Sequence, residues 1–245
     1  MMFEEKTVLI SGAAVGIGRA TAIRFAQHGA NVVLLDMNLE KLEKVKKELM
    51  QYTNRVLVYE CDVSDEERVH DVIQSVCKIY GTIDILVNNA GIWRGVVPFE
   101  DITSEMWRKY LDINLMGTVY CTREVLKAMK EKRFGRIINV ASVAGVYGNA
   151  GMAHYSATKG AMISMTKALA KEVAEYGITV NCISPGSVSP SENSNPDYYQ
   201  ESALCFMGRT GTNMENADLI CFLASSSAGY ISGQNVQIDG VRKKL

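Results

Sequence analysis

The sequence predicts an α/β protein: a doubly wound parallel sheet of about seven strands with helices on both faces. Two observations predict it. Short runs that are apolar throughout, such as Val32-Val33-Leu34-Leu35, recur along the chain, as strands buried on both faces require. Longer segments between them place apolar residues at helical spacing, as Val69, Val72, Ile73 and Val76 do, which suits helices lying on a sheet. Strand–helix alternation with right-handed crossovers then leaves the doubly wound arrangement.

In order, Thr7 to Ile10 reads as the first strand, and Gly12, Gly16 and Gly18 follow it. A helix through Ala20, Ile23, Phe25 and Ala26 stops at Gly29, a natural C-terminal cap. Val32 to Leu35 is the second strand, closed by Asp36; Leu39 to Met50 is a charged helix, and Arg55 to Tyr59 a third strand. A helix over Asp65 to Tyr80 leads to a fourth strand, Ile83 to Val87, which ends in Asn88-Asn89-Ala90-Gly91. One helical stretch from Ser104 to about Lys132 precedes the fifth strand, Arg136 to Val140. Met152 to Tyr176 is helical and Ile178 to Ile183 is a strand; a short helix near Met214 to Ala224 precedes the last strand, Val236 to Ile238. Residues 1–245 read as a single dinucleotide-binding and catalytic domain, without linker or repeat. The irregular stretch from Pro185 to about Tyr198 is expected to belong to a substrate loop spanning about 186–210.

Of the 245 residues, 47% are apolar and 22% charged, with 26 basic against 27 acidic side chains. A single core of that size needs no metal or disulfide. A net charge of −1 gives no reason to expect nucleic acid or an anionic membrane. The basic cluster Arg242-Lys243-Lys244 reads as a frayed, solvated tail. No apolar run approaches the ~18 residues of a membrane helix, and the N-terminus lacks a signal core. Cys61, Cys77, Cys121, Cys182, Cys205 and Cys221 show no CxxC pairing and no His at metal spacing. Reduced thiols in a cytoplasmic protein, with no metal, are expected.

Ser11-Gly12-Ala13-Ala14-Val15-Gly16-Ile17-Gly18 sits where a strand passes into a helix. Glycines there let the backbone approach a pyrophosphate, and the helix N-terminus supplies amide donors. Asp36, at the end of the second strand, can accept hydrogen bonds from an adenosine ribose and repels a 2′-phosphate. No cation stands at Val15 or Met37 to neutralise such a phosphate. NAD(H) is therefore expected over NADP(H); a helix-capping role for Asp36 is the structural alternative. Tyr155 and Lys159 share a helical face at i, i+4. Bringing a phenol of pKa ~10 into the neutral range needs roughly 4 kcal/mol of phenolate stabilisation, about what one close cation in a half-buried cleft supplies with an oxidised nicotinamide.

Together with Asn88-Asn89-Ala90-Gly91, Asn114, Ser142 and Pro185-Gly186, these motifs make the chain resemble the classical short-chain dehydrogenase/reductases over its whole length. The resemblance implies a Rossmann-type fold and an oxidoreductase interconverting a secondary alcohol and a ketone. It implies that Tyr155 is the acid/base, that Ser142 binds the substrate oxygen, and that Lys159 lowers the tyrosine's pKa and holds the nicotinamide ribose. Asn114 would anchor a water in a proton relay. Gly12, Ile17 and Gly18 would meet the diphosphate, Asp62 and Val63 the adenine, and Asn89 and Ala90 the adenosine ribose side, while Asn88 would brace neighbouring strands. Pro185, Gly186 and Val188 would border the nicotinamide. It also implies a homotetramer or homodimer, through the helices at 104–132 and 152–176.

The chain departs from the family pattern in three places. Pro190 stands where a threonine often binds the carboxamide, with Ser189 or Ser191 as substitutes; the loop after Gly186 is short; and the ending is Asp239-Gly240-Val241 plus the basic tail. A hydroxysteroid-like or other small alcohol is the expected substrate. A 3-oxoacyl-(acyl-carrier-protein) reductase and a catalytically idle dinucleotide sensor are the alternatives. Arg94, Tyr147, Asn149, Met152, Leu204, Phe206 and Met207 are candidate pocket residues. His154, and Met162, Met165, Leu169 and Val173, read as packing positions.

Overall fold

The computed structural model describes residues 1–93, 95–190 and 192–243. Its strands are β1 (Thr7–Ser11), β2 (Asn31–Asp36), β3 (Val56–Glu60), β4 (Ile85–Asn88), β5 (Gly135–Val140), β6 (Ile178–Pro185) and β7 (Asn235–Ile238). They form a seven-stranded sheet in the order β3-β2-β1-β4-β5-β6-β7, parallel throughout. Chain direction across the sheet reverses between β1 and β4. A crevice at the carboxyl edge is the geometric consequence, since the connections leave those strands toward opposite faces.

The helices are α1 (Gly16–Gln27), α2 (Leu39–Leu49), α3 (Glu66–Tyr80), α4 (Ser104–Leu111), α5 (Gly117–Lys132), α6 (Ala144–Tyr147), α7 (Ala153–Val173) and α8 (Asn213–Ala224). Strand alternation divides the core between two faces. Val8 and Ile10 of β1 join Phe25 of α1 and Ile220 of α8 on one face. Leu9 joins Val72 of α3 and Val125 of α5 on the other. Each such side chain contributes roughly 1.5–3 kcal/mol when fully buried. Asn38, Asp65 and Thr103 cap α2, α3 and α4, and Thr212 with Glu215 forms a capping box on α8. Among the described residues α1 has no side-chain cap, so its first amides stay open at the glycine turn.

The structure corrects the sequence reading in three details. The expected single helix over 104–132 is interrupted by a π turn at Asp112–Met116. There the buried Asn114 side chain turns to the Ile92 backbone, accepting from its N–H at 2.7 Å and donating to its carbonyl at 3.0 Å. The four-residue α6, absent from the expectation, fills the step after β5. The C-terminal tail is not frayed over its described part: Phe206 N–H donates to the Val241 carbonyl at 2.9 Å and Lys243 N–H to that of Leu204 at 3.0 Å. Lys244 lies outside the described residues. Among those described, no helix is long and apolar enough to cross a membrane.

Candidate active site

At the carboxyl edge, Gly12 (φ +64°) and Gly16 (φ +59°) take left-handed conformations that favour glycine. A Cβ on Gly12 would stand 2.8 Å from Ala90 Cα, and one on Gly18 would press into the Gly12 carbonyl and lie 2.7 Å from Asn89 Nδ2. Asn89 braces this turn, its Nδ2 donating to the carbonyls of Ser11 (3.0 Å) and Gly12 (2.9 Å). The backbone N–H groups of Asn89 and Ala90 both donate to Ser11 Oγ at 3.1 Å. Ile17 is half-buried against the core beneath the turn.

Asp36 spans the gap from β2 to this turn, accepting from Ala14 N–H at 3.2 Å and from Asn38 N–H at 3.0 Å. The cap of α2 is Asn38, not Asp36, which removes the capping alternative. Asp62 Oδ1 accepts from Ser64 N–H at 2.9 Å and Ser64 Oγ at 2.7 Å. Val63 is buried against Gly117, where a Cβ would come within 2.9 Å of Val63 Cβ. Beside the turn lies a cavity of about 290 Å³ whose lining includes Val15, Arg19, Lys41, Glu48 and Glu192. Arg19 grips Glu48, and Lys41 grips Glu192, in the loop after β6, at 2.8 Å. Neither cation stands at position 15 or 37; both come from helical turns further along the chain, Arg19 on α1 and Lys41 on α2.

Ser142 follows β5, its Oγ accepting from Ala144 N–H at 3.1 Å as α6 begins. Tyr155 and Lys159 occupy successive turns of α7, with Lys159 Nζ 5.9 Å from the Tyr155 ring centre. Lys159 Nζ donates to the Val140 carbonyl at 2.7 Å, and burial drives its pKa down to about 8. Burial raises the pKa of Tyr155; the Ser142 hydroxyl pulls the other way and Tyr110 adds to the rise. In this geometry desolvation of the phenol therefore outweighs its polar neighbours. Asn114 Nδ2 donates to Thr158 Oγ1 at 3.3 Å. A Cβ on Gly91 would lie 3.1 Å from Asn114 Oδ1 and 3.4 Å from Lys159 Nζ, so that glycine lets the π turn and α7 meet. Ser142, Tyr155, Lys159 and Asn114 are thus gathered at one edge from three elements.

Asn88 braces β4 against β5, its Nδ2 donating to Asn139 Oδ1 at 2.9 Å and Thr122 Oγ1 at 3.1 Å. Pro185 and Gly186 are held by Val143 N–H donating to the Pro185 carbonyl at 3.1 Å and Gly186 N–H to that of Ile238 at 3.0 Å. Val188 bridges Gly211. Ser189 does not replace the missing threonine: it is buried, and its Oγ is engaged by the carbonyls of Gly211 and Tyr198. Ser191 and Arg94 lie outside the described residues. His154 is fully buried, 4.0 Å from Tyr110 and 6.1 Å from Trp107 between ring centres. Tyr110, 6.5 Å from Tyr155, was missed; its signal was the i, i+3, i+7 spacing of Trp107, Tyr110 and Asn114 along one helical face. Trp93, Val96, Tyr147, Phe206 and Met207 leave large apolar surfaces exposed. Among the described residues no three His, Cys, Asp or Glu side chains form a metal-binding group.

The sequence pattern of the short chain dehydrogenase family matches residues 6–201. A 3-oxoacyl-[acyl-carrier-protein] reductase, FabG of Thermotoga maritima, is 41% identical over 243 residues, covering 98% of both chains. The (2S)-[(R)-hydroxy(phenyl)methyl]succinyl-CoA dehydrogenase subunit BbsD of Thauera aromatica is 36% identical, covering 99% of this chain and 98% of its own. Among solved structures, an NAD+-bound xylitol dehydrogenase superposes with a TM-score of 0.90 at 34% identity, covering 98% of this chain and all of its own. The chain is therefore a Rossmann-type oxidoreductase of the short-chain dehydrogenase/reductase family.

Proposed function

We propose that the chain, residues 1–245 acting as one unit, interconverts a 3-oxoacyl thioester and its 3-hydroxy form using NAD(H). The observation that carries the reading is the convergence of Ser142, Tyr155, Lys159 and Asn114 at the edge where uncapped α1 opens. The cradle fits a dinucleotide: Gly12 and Gly18 stand where a Cβ would collide, and α1 offers free amides. Gly12, Ile17 and Gly18 would hold the diphosphate, with Asp36, Asp62, Val63, Asn89 and Ala90 along the adenosine and Pro185, Gly186 and Val188 beside the nicotinamide. Asp36 favours the unphosphorylated ribose. Bound nicotinamide supplies or accepts the hydride at the carbonyl carbon.

The chain's own residues handle the proton and the oxygen. In reduction, Ser142 Oγ and Tyr155 Oη hydrogen-bond the ketone, and Tyr155 passes its proton to the oxygen as charge develops there. Lys159, nearly sealed from solvent, holds the nicotinamide ribose and favours the phenolate left behind. Asn114 fixes the Ile92 carbonyl, against which a water can return a proton through Lys159.

Two relatives named for acyl carriers favour an acyl substrate over the hydroxysteroid-like one, and the exposed apolar rim of Trp93, Tyr147, Phe206 and Met207 suits an apolar chain. A polyol, the substrate in the xylitol dehydrogenase's name, is the second reading, and the same rim disfavours it. Half-buried Met165 and Leu169 on α7 suit a homotetramer or homodimer, and six free thiols suit the cytoplasm.

The test is NADH oxidation with the acetoacetyl thioester of N-acetylcysteamine. Wild type is expected to turn over, more efficiently than with NADPH. Tyr155→Phe is expected to lose roughly 10³-fold in kcat while binding NADH within about threefold of wild type. A variant that keeps wild-type turnover would end the proposal, and an idle sensor would show none in either protein.

A further inference from the structure

The substrate end of the cleft carries a cation that neither the hydride nor the proton step uses. Gly240 to Lys243 run antiparallel to Leu204–Met207. Met207 N–H donates to the Gly240 carbonyl at 3.1 Å, Phe206 N–H to that of Val241 at 2.9 Å and Lys243 N–H to that of Leu204 at 3.0 Å, with Cys205 bridging Arg242. This pairing fixes the Arg242 backbone on the substrate loop. Its guanidinium then reaches the opposite wall, where Nη2 donates to Asn149 Oδ1 at 3.4 Å. Asn149 lies between α6 and α7, and its N–H donates to Ser156 Oγ at 3.2 Å, one residue past Tyr155. Arg242 therefore joins the loop wall to the catalytic wall.

Its charge is left unmatched there. Arg19, Arg24, Arg123 and Arg209 each grip a carboxylate. Among the described residues no carboxylate lies within 4.0 Å of Arg242 or Lys243. A neutral amide engages one donor of the five on a guanidinium. Lys243 turns aside, its Nζ 5.5 Å from the Phe206 ring centre. A second observation concerns the backbone: Val241 is left-handed at φ +59°, an outlier for a β-branched residue. Asp239 Oδ1 holds that bend by accepting from Val241 N–H at 3.0 Å. Strain of this kind persists where the surroundings over-determine it, and here its effect is to turn residue 242 back across the cleft. Arg242 is half-buried and follows Val241, whose carbonyl pairs with Phe206, and partial desolvation there strengthens attraction for an anion.

We propose that Arg242 is a specificity-determining residue, recognising a carboxylate or phosphate at the far end of the ketone substrate. This rests on the proposed ketone reduction, which the experiment separates from it. Three thioesters share one reacting ketone: acetoacetyl N-acetylcysteamine is neutral, acetoacetyl-coenzyme A adds phosphates, and 3-oxoadipyl N-acetylcysteamine adds a terminal carboxylate. Arg242→Ala is expected to lower kcat/KM for at least one charged thioester by roughly 10- to 100-fold and to leave the neutral one within about threefold, with Arg242→Lys recovering part of the loss. The charged thioester that responds names the anion. Equal loss on all three, or no loss on any, overturns the proposal. In parallel, coenzyme A and adipate are titrated calorimetrically into NADH-loaded enzyme. A tenfold weakening of either in Arg242→Ala supports the anion site even where no thioester is reduced, in which case the reduction reading alone has failed; unchanged affinities for both overturn the site.

Discussion

Asp84, just before β4, and Lys159, on α7, are both charged and both nearly sealed from solvent, at 1% and 4% exposure. They lie at opposite ends of the same sheet and are treated differently. Asp84 is surrounded by partners: it accepts from Thr7 N–H at 3.0 Å and Lys132 Nζ at 2.6 Å, with Lys6 Nζ at 3.9 Å. Arg136 nearby donates to the carbonyls of Gly135 and Gly177. At the carboxyl edge Lys159 has the Val140 carbonyl and no ion pair among the described residues, and α1 starts without a side-chain cap. Around Asp84 the amino edge spends its polar groups on one another and so contributes stability, although the buried Nε of Arg136 has no partner among the described residues. The carboxyl edge leaves donors available, which costs stability and makes a binding site.

The largest expected effect tests the closed end. Asp84→Ala strands a buried Thr7 N–H and opens a small cavity, while Lys6 and Lys132, partly exposed, recover water. A loss of about 2–4 kcal/mol is expected in urea unfolding, with KM for NADH within about twofold of wild type. A loss below about 1 kcal/mol, or a KM that moves strongly, would break the contrast between the two edges.

The open end makes the opposite prediction for Lys159, with a definite pH dependence. Its folded pKa of about 8 lies below the ~10.4 of an unfolded chain. Between these values the unfolded state keeps the proton that the folded state has lost, so stability rises with pH through that window. Below pH ~8 both states are charged, and the fold bears the whole cost of the buried ammonium. The stability of wild type relative to Lys159→Met should therefore be flat below pH ~8 and climb by up to ~3 kcal/mol by pH ~10.5. A difference that stays constant across the window would mean that Lys159 is as well solvated as a surface lysine.

The two edges also differ in how far they can be read from residues alone. Ser142, Tyr155, Lys159 and Asn114 occur in the pattern that carries the family resemblance, and the structure brings them together at one edge. Asp84 and Arg136 carry no such mark, because any partner that satisfies a buried charge will serve and no spacing reports it. The π turn was hidden for a related reason: Asp112 to Met116 has ordinary helical sequence, and its cause, the Ile92 backbone, lies more than twenty positions away. Ser189 stands next to the threonine position in sequence, but the carbonyls of Tyr198 and Gly211 engage it, and neither is near it in the chain. Strand assignments were robust, since fully buried β1, β5 and β6 leave few other ways to pair such runs.

Asp36 lies between these extremes, because its carboxylate already serves the fold and is also expected to choose the cofactor. Its oxygens accept from the exposed Asn38 N–H, which water can take over, and from the part-buried Ala14 N–H, for which a serine at this position keeps an acceptor oxygen. Asp36→Ser should therefore cost little stability and raise the ratio of kcat/KM for NADPH over NADH by roughly tenfold, the size of one close like-charge repulsion in a partly solvated site. Inversion of the preference is not expected from that change alone. Val15 and Met37 provide no cation, and Lys41, on the wall of the adjacent cavity, is held by Glu192. Adding Glu192→Gln releases Lys41 and should raise the ratio again, by a factor smaller than the first. If the second change leaves the ratio where Asp36→Ser put it, Lys41 does not reach the ribose, and the cation pair at that cavity belongs to the self-satisfied class of the amino edge.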